Sequence, residues 1–203
     1  MGRSTYHHGD LAAALLAAGL DLLETEGADR LSLRAAARAA GVSPNAPYRH
    51  YADKDDLLAA LACHGCDDLL DRIAHVTGDT AHERLIGMVQ QGVRFARERP
   101  EVFRLMSGHL CSQRPAVVEA LGRVRATVVL AIRGPGDEPV TAAEEAFYTG
   151  LWALTQGLSA LLVEGSMRPR TGEDLDAYVA RVVSATVSVL PEPRVDSAAA
   201  ASA

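Results

Sequence analysis

Apolar residues recur every three or four positions along most of this 203-residue chain, a spacing that places them on one face of an α-helix. In the first such run Leu11, Leu15 and Leu22 are in step, and Gly27 follows where a helix would end. The whole pattern predicts an all-α chain of nine helices, at about residues 9–26, 33–39, 44 onward, 53–77, 80–99, 103–109, 115–133, 141–165 and 173–190.

The second and third predicted helices are short and have the features of a helix-turn-helix. Ser32 is a candidate N-cap, and Gly41 ends the helix with a residue that tolerates positive φ. Ser43 and Pro44 then begin the next helix as N-cap and first helical residue. Pro47 should distort or delay that helix, because proline there removes its first true helical hydrogen bond. Structural helical hairpins share this turn chemistry, so the motif needs further support.

Charge supplies that support. The chain is acidic overall, with 20 Lys+Arg against 26 Asp+Glu and a net charge of -6, which argues against indiscriminate coating of nucleic acid. Between residues 30 and 54 the balance reverses, since one acid, Asp53, stands among the basic residues Arg30, Arg34, Arg38, Arg49 and Lys54. This basic segment is typical of a confined surface that contacts DNA phosphates.

Side chains in the segment match the chemistry of DNA recognition. In a helix starting at Pro44, Asn45, Ala46 and Arg49 would share one face and could read base edges in the major groove. The flanking polar side chains suit phosphate oxygens: Ser43, Tyr48, His50 and Lys54. The alternative is that the tyrosines are core aromatics, an interpretation we favour for Tyr51, and that Lys54 is a solvated surface residue.

These residues also resemble a known family. The stretch LSLRAAARAAGVS at 31–43, followed by Tyr48-Arg49-His50-Tyr51 and Lys54, is similar to the DNA-binding head of TetR-family bacterial transcriptional regulators, and YHHGDL at 6–11 resembles one branch of it. The resemblance implies a nine-helix homodimer that binds palindromic double-stranded operator DNA, most often as a repressor, and releases it when the body binds a small-molecule effector. It places Ser32 and Arg34 where the family's second helix meets DNA. In that branch the body often has Trp-x-x-x-His-Gly, and here Gln156 replaces the histidine.

The resulting domain prediction is two-lobed. A helix-turn-helix head would occupy residues 1–52, an effector-binding and dimerisation body residues 53–190, and a disordered tail residues 191–203. The apolar run at 11–20 is too short to cross a bilayer and lacks a cleavage site, so we expect a cytoplasmic protein without a membrane segment.

The body carries the residues that a small-molecule pocket needs, namely adaptable apolar side chains with a few polar ones. The candidates are Met88, Gln91, Phe95, Phe103, Met106, Phe147, Trp152 and Gln156. A helical bundle requires large core residues in any case, so core packing remains the alternative for each. The wide apolar faces of the last two helices predict a homodimer interface, unless both faces are covered within one chain.

Parts of the sequence fit two other functions. Cys63 and Cys66, with Cys111 and His109, could sense metal or thiol chemistry, but cysteines in alanine-rich helices are mostly small core residues. One kind of helical-bundle enzyme has the Glu-x-x-His pairs of a di-iron site, and this sequence has none, nor any phosphate-binding glycine loop. We therefore expect a regulator rather than an enzyme, with no metal and no cofactor.

Overall fold

A computed structural model describes residues 8–108, 113–134 and 139–187. Within these ranges the chain is all-α, as expected, with eight α-helices and one short 3₁₀-helix at Pro47–Arg49. The α-helices are α1 His8–Glu26, α2 Leu33–Ala39, α3 Lys54–Ala74, α4 Ala81–Glu98, α5 Pro100–Ser107, α6 Pro115–Arg133, α7 Ala142–Val163 and α8 Leu175–Val187. Residues 191–203, predicted to be a disordered tail, lie outside the described residues, as do His109 and Cys111.

Helix α2 begins and ends as its sequence predicts. The Ser32 hydroxyl accepts a hydrogen bond from the Ala35 N–H at 3.1 Å, which is the predicted N-cap. At the other end Gly41 has a φ of 69°, and its N–H donates to the Arg38 carbonyl at 3.2 Å. The Val42 N–H donates to the Ala37 carbonyl at 3.0 Å, which completes a Schellman motif. The turn is therefore closed by main-chain hydrogen bonds alone.

The third predicted helix is not an α-helix, so the described residues form eight α-helices, with a 3₁₀-helix in place of this one of the nine predicted helices. Residues 44–46 form a turn, in which the Ala46 N–H donates to the Ser43 carbonyl at 2.9 Å, and only Pro47–Arg49 is helical, in the 3₁₀ form. Pro47 explains the change, since it cannot donate the hydrogen bond that would continue an α-helix from Pro44. The expected distortion at Pro47 is thus present, and the predicted cap at Ser43 becomes a turn.

Helix α5 also differs from its prediction. It begins at Pro100 rather than Phe103, because proline at the first helical position costs no hydrogen bond. The Glu24 carboxylate of α1 accepts from the backbone N–H groups of Glu101 and Val102, at 3.3 and 3.1 Å. An anion at the positive end of α5 satisfies free N–H groups and ties α1 to α5.

The chain divides into two compact units. The first comprises Met1–Leu70 and Glu98–Val124, and its core includes Leu15, Leu23, Leu57 and Leu61, all fully buried. The second comprises Asp71–Arg97 and Arg125–Ala203. Its core is a cluster of apolar residues from four helices: Leu85, Val89, Val93, Ile132, Phe147, Tyr148, Leu151, Leu158, Tyr178, Val179 and Val183. These units are defined by packing, and they place α1, α2 and most of α3 together. The functional division predicted at residue 53 is a different property and stays a prediction.

One helix in the described part of the chain, α7, is long and apolar enough to span a bilayer by length and composition. Its 18-residue window has a mean hydropathy of 1.3, and 28% of that window is buried. A helix of this kind in a soluble protein commonly packs in a core or an interface, so the finding is weak support for a membrane segment.

Candidate nucleic-acid interface

The predicted DNA-contacting residues lie on a solvent-exposed surface of the first unit. Ser32, Arg34, Ser43, Asn45, Tyr48, Arg49 and His50 are all exposed, and Ala46 is half-buried. Tyr48 is unusual, since 51% of this aromatic residue is exposed. An exposed tyrosine that is not used in the core is free to contact a partner.

A buried layer beneath this surface holds it in place. Leu31, Leu33, Ala36 and Ala37 are buried, and so is Pro47 at the start of the 3₁₀-helix. Helix α2 packs against both α1 and the 3₁₀-helix. The polar side chains therefore project from a fixed backbone.

The 3₁₀ geometry changes how the predicted reading residues are arranged. Ala46 is the N-cap of the 3₁₀-helix and Arg49 its last residue, and the Arg49 N–H donates to the Ala46 carbonyl at 3.3 Å. With three residues per turn, positions 46 and 49 remain aligned on one side. Asn45 precedes the helix, in the turn, so its place on the same face is no longer set by helical periodicity.

Lys54 lies at the first position of α3 and is half-buried. Its Nζ donates to the Asp29 carbonyl at 3.2 Å, which connects the start of α3 to the loop before α2. An ammonium group has three donors, so this contact leaves two for a phosphate. Lys54 therefore has a structural role in addition to the predicted phosphate contact.

The acidic residues next to Lys54 are engaged by the protein. The Asp53 carboxylate accepts from the Asp56 N–H at 2.9 Å and caps α3, as predicted. Arg114 pairs with Asp56 at 2.9 Å and with Asp55 at 3.6 Å. Arg114 was missed by the sequence analysis, because its partners lie 58 and 59 positions away and no local pattern connects them. These contacts reduce the negative charge that would repel DNA.

The predicted pocket residues are divided between the two units. Phe103 and Met106 belong to the first unit, and the other six belong to the second: Met88, Gln91, Phe95, Phe147, Trp152 and Gln156. The five apolar residues other than Trp152 are buried, whereas Trp152, Gln91 and Gln156 are half-buried. The Arg72 guanidinium lies over the Phe95 ring, 5.4 Å from its centroid. As a pocket this set stays a prediction.

Two buried hydroxyls on α7 were not among the predicted pocket residues. The Tyr148 and Ser159 hydroxyl oxygens have no hydrogen-bond partner among the described residues, although the residues are only 4% and 0% exposed. Burial raises the pKa of Tyr148, with a further contribution from the charge of Glu144. Buried hydroxyls without partners are costly, so they mark positions that a bound polar group could satisfy.

The cysteine pair has the environment of structural thiols. Cys66 is buried and Cys63 is half-buried, and both are free. Burial, followed by the charges of Cys63 and Asp67, raises the pKa of Cys66 to about 12. Burial also raises the pKa of Cys63. Metal ligation and nucleophilic attack need the thiolate, which these surroundings disfavour.

Two family models match the chain. Residues 15–61 match the bacterial regulatory proteins of the tetR family, and residues 85–186 match a tetracyclin repressor-like C-terminal domain. No curated protein matches the chain significantly.

Solved structures agree with the family match. A protein of unknown function from Rhodococcus sp. RHA1 is 30% identical, with a TM-score of 0.73 over 93% of this chain and 99% of that one. A tetR-family transcriptional regulator from Streptomyces coelicolor is 22% identical, with a TM-score of 0.72 over 91% of this chain and 83% of that one. A bacterial regulatory protein in the tetR family from Rhodococcus RHA1 is also 22% identical, with a TM-score of 0.62 over 89% and 96% of the two chains. The matched head contains the exposed basic and polar residues described above, and the match continues through the body. The chain belongs to the TetR family of DNA-binding transcriptional regulators.

Proposed function

We propose that this regulator is a cytoplasmic homodimeric repressor that occupies a palindromic operator and leaves it when a small-molecule effector binds the body. The observation that carries the proposal is the exposure of arginine, asparagine, tyrosine and histidine side chains on a turn and 3₁₀-helix whose backbone rests on buried residues. Exposed side chains of this kind contribute little to the packing of the protein itself, and their chemistry matches that of the phosphates and the major groove of DNA.

The side chains fall into two groups by what they contact on DNA. Arg34, Asn45, Ala46 and Arg49 read base edges, because guanidinium, amide and methyl groups distinguish bases. Ser32, Ser43, Tyr48, His50 and Lys54 bind phosphate oxygens and fix the position of the head. Ser32 and Lys54 also hold hydrogen bonds within the protein, so their replacement affects stability as well as binding.

Helix α7 supports the homodimer. Small residues form an exposed stripe along it at helical spacing: Ala146, Gly150, Ala153 and Gly157, followed by Leu161. A Cβ added at Gly150 or Gly157 would meet nothing within 4 Å, so this face is open in the single chain. An apolar helix with small outward residues can approach its own copy closely, and a dimer places two heads on DNA.

Oligomeric state tests this interface. Gly157→Gln should weaken the dimer because the longer side chain blocks close helix approach, while Gly122→Gln on α6 is the matched control at another open helical glycine. Sedimentation equilibrium of both variants measures the effect. Equal dimerisation of the two variants would contradict an α7 interface.

The effector site is proposed in the second unit, among the six predicted side chains of that unit and the unsatisfied hydroxyls of Tyr148 and Ser159. Trp152 and Gln156 lie four residues apart on α7 and are half-buried, so they are the pair to replace first. A ligand with one polar group and an apolar frame fits this combination.

DNA binding and release test the whole proposal. Fluorescence anisotropy with duplexes from the DNA upstream of the chain's own gene should show salt-sensitive binding to one palindrome. Compounds that raise the melting temperature in a thermal-shift screen should lower operator affinity, and operator should lower compound affinity by the same factor. Absence of duplex binding at low salt and without compounds would refute the proposal.

A further inference from the structure

A cleft at one end of the second unit combines arginines with apolar side chains. Its volume is about 580 Å³, and it is lined by Arg97 of α4, Leu162 of α7, Leu175 of α8 and the loop that carries Met167, Arg168 and Arg170. None of these residues belongs to the predicted effector site. The size is within the range of roughly 300 to 1,000 Å³ that small-molecule sites occupy.

The loop of the cleft is held by internal hydrogen bonds. The Met167 N–H donates to the Leu161 carbonyl at 3.1 Å, which folds the loop back on the end of α7. Arg170 and Glu173 bond each other in both directions, since the Arg170 N–H donates to the Glu173 carboxylate at 3.0 Å and the Glu173 N–H donates to the Arg170 carbonyl at 2.9 Å. The arginines are therefore presented from an ordered segment.

Acidic groups near the cleft are already bound to other partners. Arg181 donates to both carboxylate oxygens of Glu173, at 2.9 and 3.0 Å, and this hydrogen bonding lowers the Glu173 pKa to about 2. Asp176 pairs with Arg94, and the Asp174 carboxylate accepts from backbone N–H groups at the start of α8. Each of these three carboxylates therefore already has a hydrogen-bond or ion-pair partner within the protein.

The three arginines of the cleft are exposed, and Arg97 and Arg168 make no ion pair with any residue in the described ranges. Three guanidinium groups stand against one carboxylate, Glu173, which already pairs with Arg181, so the cleft has a net positive charge on an acidic protein. Leu162, Met167 and Leu175 are half-buried and pack on the core cluster, so they offer an apolar floor.

We propose that this cleft binds an amphipathic organic anion, whose carboxylate or phosphate head pairs with Arg97, Arg168 and Arg170 and whose apolar part covers Leu162, Met167 and Leu175. Guanidinium groups recognise both anions through paired N–H donors. The site is additional to the effector site proposed above and does not depend on the chain being a repressor.

Isothermal titration of the full-length protein with four probes tests the site: octyl phosphate, octanoate, octanol and inorganic phosphate. Octyl phosphate or octanoate should bind, and the stronger of the two identifies the head group. Octanol and inorganic phosphate should each bind at least about tenfold more weakly, because each lacks one half of the recognised chemistry. Equal binding of octanol, or of inorganic phosphate, would overturn the proposal.

Variants locate the binding. Arg97→Gln/Arg168→Gln should weaken the anionic probe by about tenfold or more, since hydrogen bonds to charged groups are strong. Arg125→Gln, an exposed arginine of the same unit outside the cleft, is the control and should bind as the wild type does. Circular dichroism confirms that each variant is folded. Retained affinity in the double variant, or no binding of octyl phosphate and octanoate by the wild-type protein, would overturn the proposal.

Discussion

Replacing Gly65 with alanine should destabilise the protein through a single close contact. Gly65 lies within α3, and a Cβ placed there would be 2.4 Å from the Val102 Cγ1 and 2.7 Å from the Met106 Sδ of α5. Ordinary contact begins at 3.4 Å, so α3 and α5 would have to separate locally or Val102 would have to move. Met106 is flexible, whereas Val102 is β-branched, 2% exposed and therefore stiff.

Gly122 of α6 provides the matched control. It lies inside a helix of the same unit, and a Cβ at Gly122 meets nothing within 4 Å. Alanine at either position gains about 0.5–1 kcal/mol of helix propensity, so this gain cancels when the two variants are compared. The remaining difference is the overpacking at Gly65, about 1–3 kcal/mol.

Urea unfolding at one fixed protein concentration measures both variants, because the proposed dimer would make apparent stability concentration-dependent. The Gly122→Ala protein should be slightly more stable than the wild type, and the Gly65→Ala protein about 1–3 kcal/mol less stable than the control variant. A chain of this size should show a difference of about 2–4 °C in melting temperature for each kcal/mol. Equal stability of the two variants would refute the close packing of α3 on α5.

Three further predictions concern charge and pH. If each head neutralises about four phosphates, the logarithm of the DNA association constant should fall with log salt at a slope of roughly -7, and a slope near zero would exclude this count. Lys54→Met should reduce the magnitude of that slope by about 2 on every duplex. Arg49→Ala should instead weaken DNA binding by about 1–3 kcal/mol and relax the preference at one base. The Cys66 thiol, whose pKa is about 12 because of burial, should react slowly with a disulfide reagent at pH 8 in the native state and rapidly in urea; fast native labelling would contradict its burial. Arg181 lowers the Glu173 pKa from 4.5 to about 2, so this carboxylate's contribution to stability is present above about pH 4.5 and is lost as the pH falls through about 2. Between these pH values the unfolding free energy of Glu173→Gln should depend less on pH than that of the wild type. The same pH dependence in both proteins would argue against the Glu173–Arg181 pairing.

Local signals in the sequence predicted the helices well where both ends carry a cap or a breaker. Helix α2 lies between Ser32 and Gly41, and α6 runs from Pro115 to the predicted Arg133. Errors arose where one residue can act in two ways. Pro100 was interpreted as the end of the fifth predicted helix, which is α4 in the structure, and it is also the first residue of the next helix, α5. Ser43 and Pro44 have the chemistry of a helix start, but Pro47 prevents the α-helix from forming.

The residues of the candidate interface are close in sequence, so a local pattern could single them out, and the structure places most of them on the surface. Their contact with DNA stays a prediction. What the sequence could not show were contacts between distant segments. Arg114 reaches back to Asp55 and Asp56, and Glu24 binds the start of α5. The unsatisfied hydroxyls of Tyr148 and Ser159 depend on the packing of a whole core, which no local pattern encodes.

The turn at Gly41 has a consequence for how such a regulator can diverge. Its geometry is maintained by the peptide backbone, through hydrogen bonds from Gly41 and Val42 to the preceding helix. The exposed side chains of Ser43, Asn45 and Arg49 consequently have little part in maintaining the fold. If Asn45 and Arg49 read bases as proposed, mutations at these two positions can redirect a duplicated copy to new promoters at little cost in folding stability.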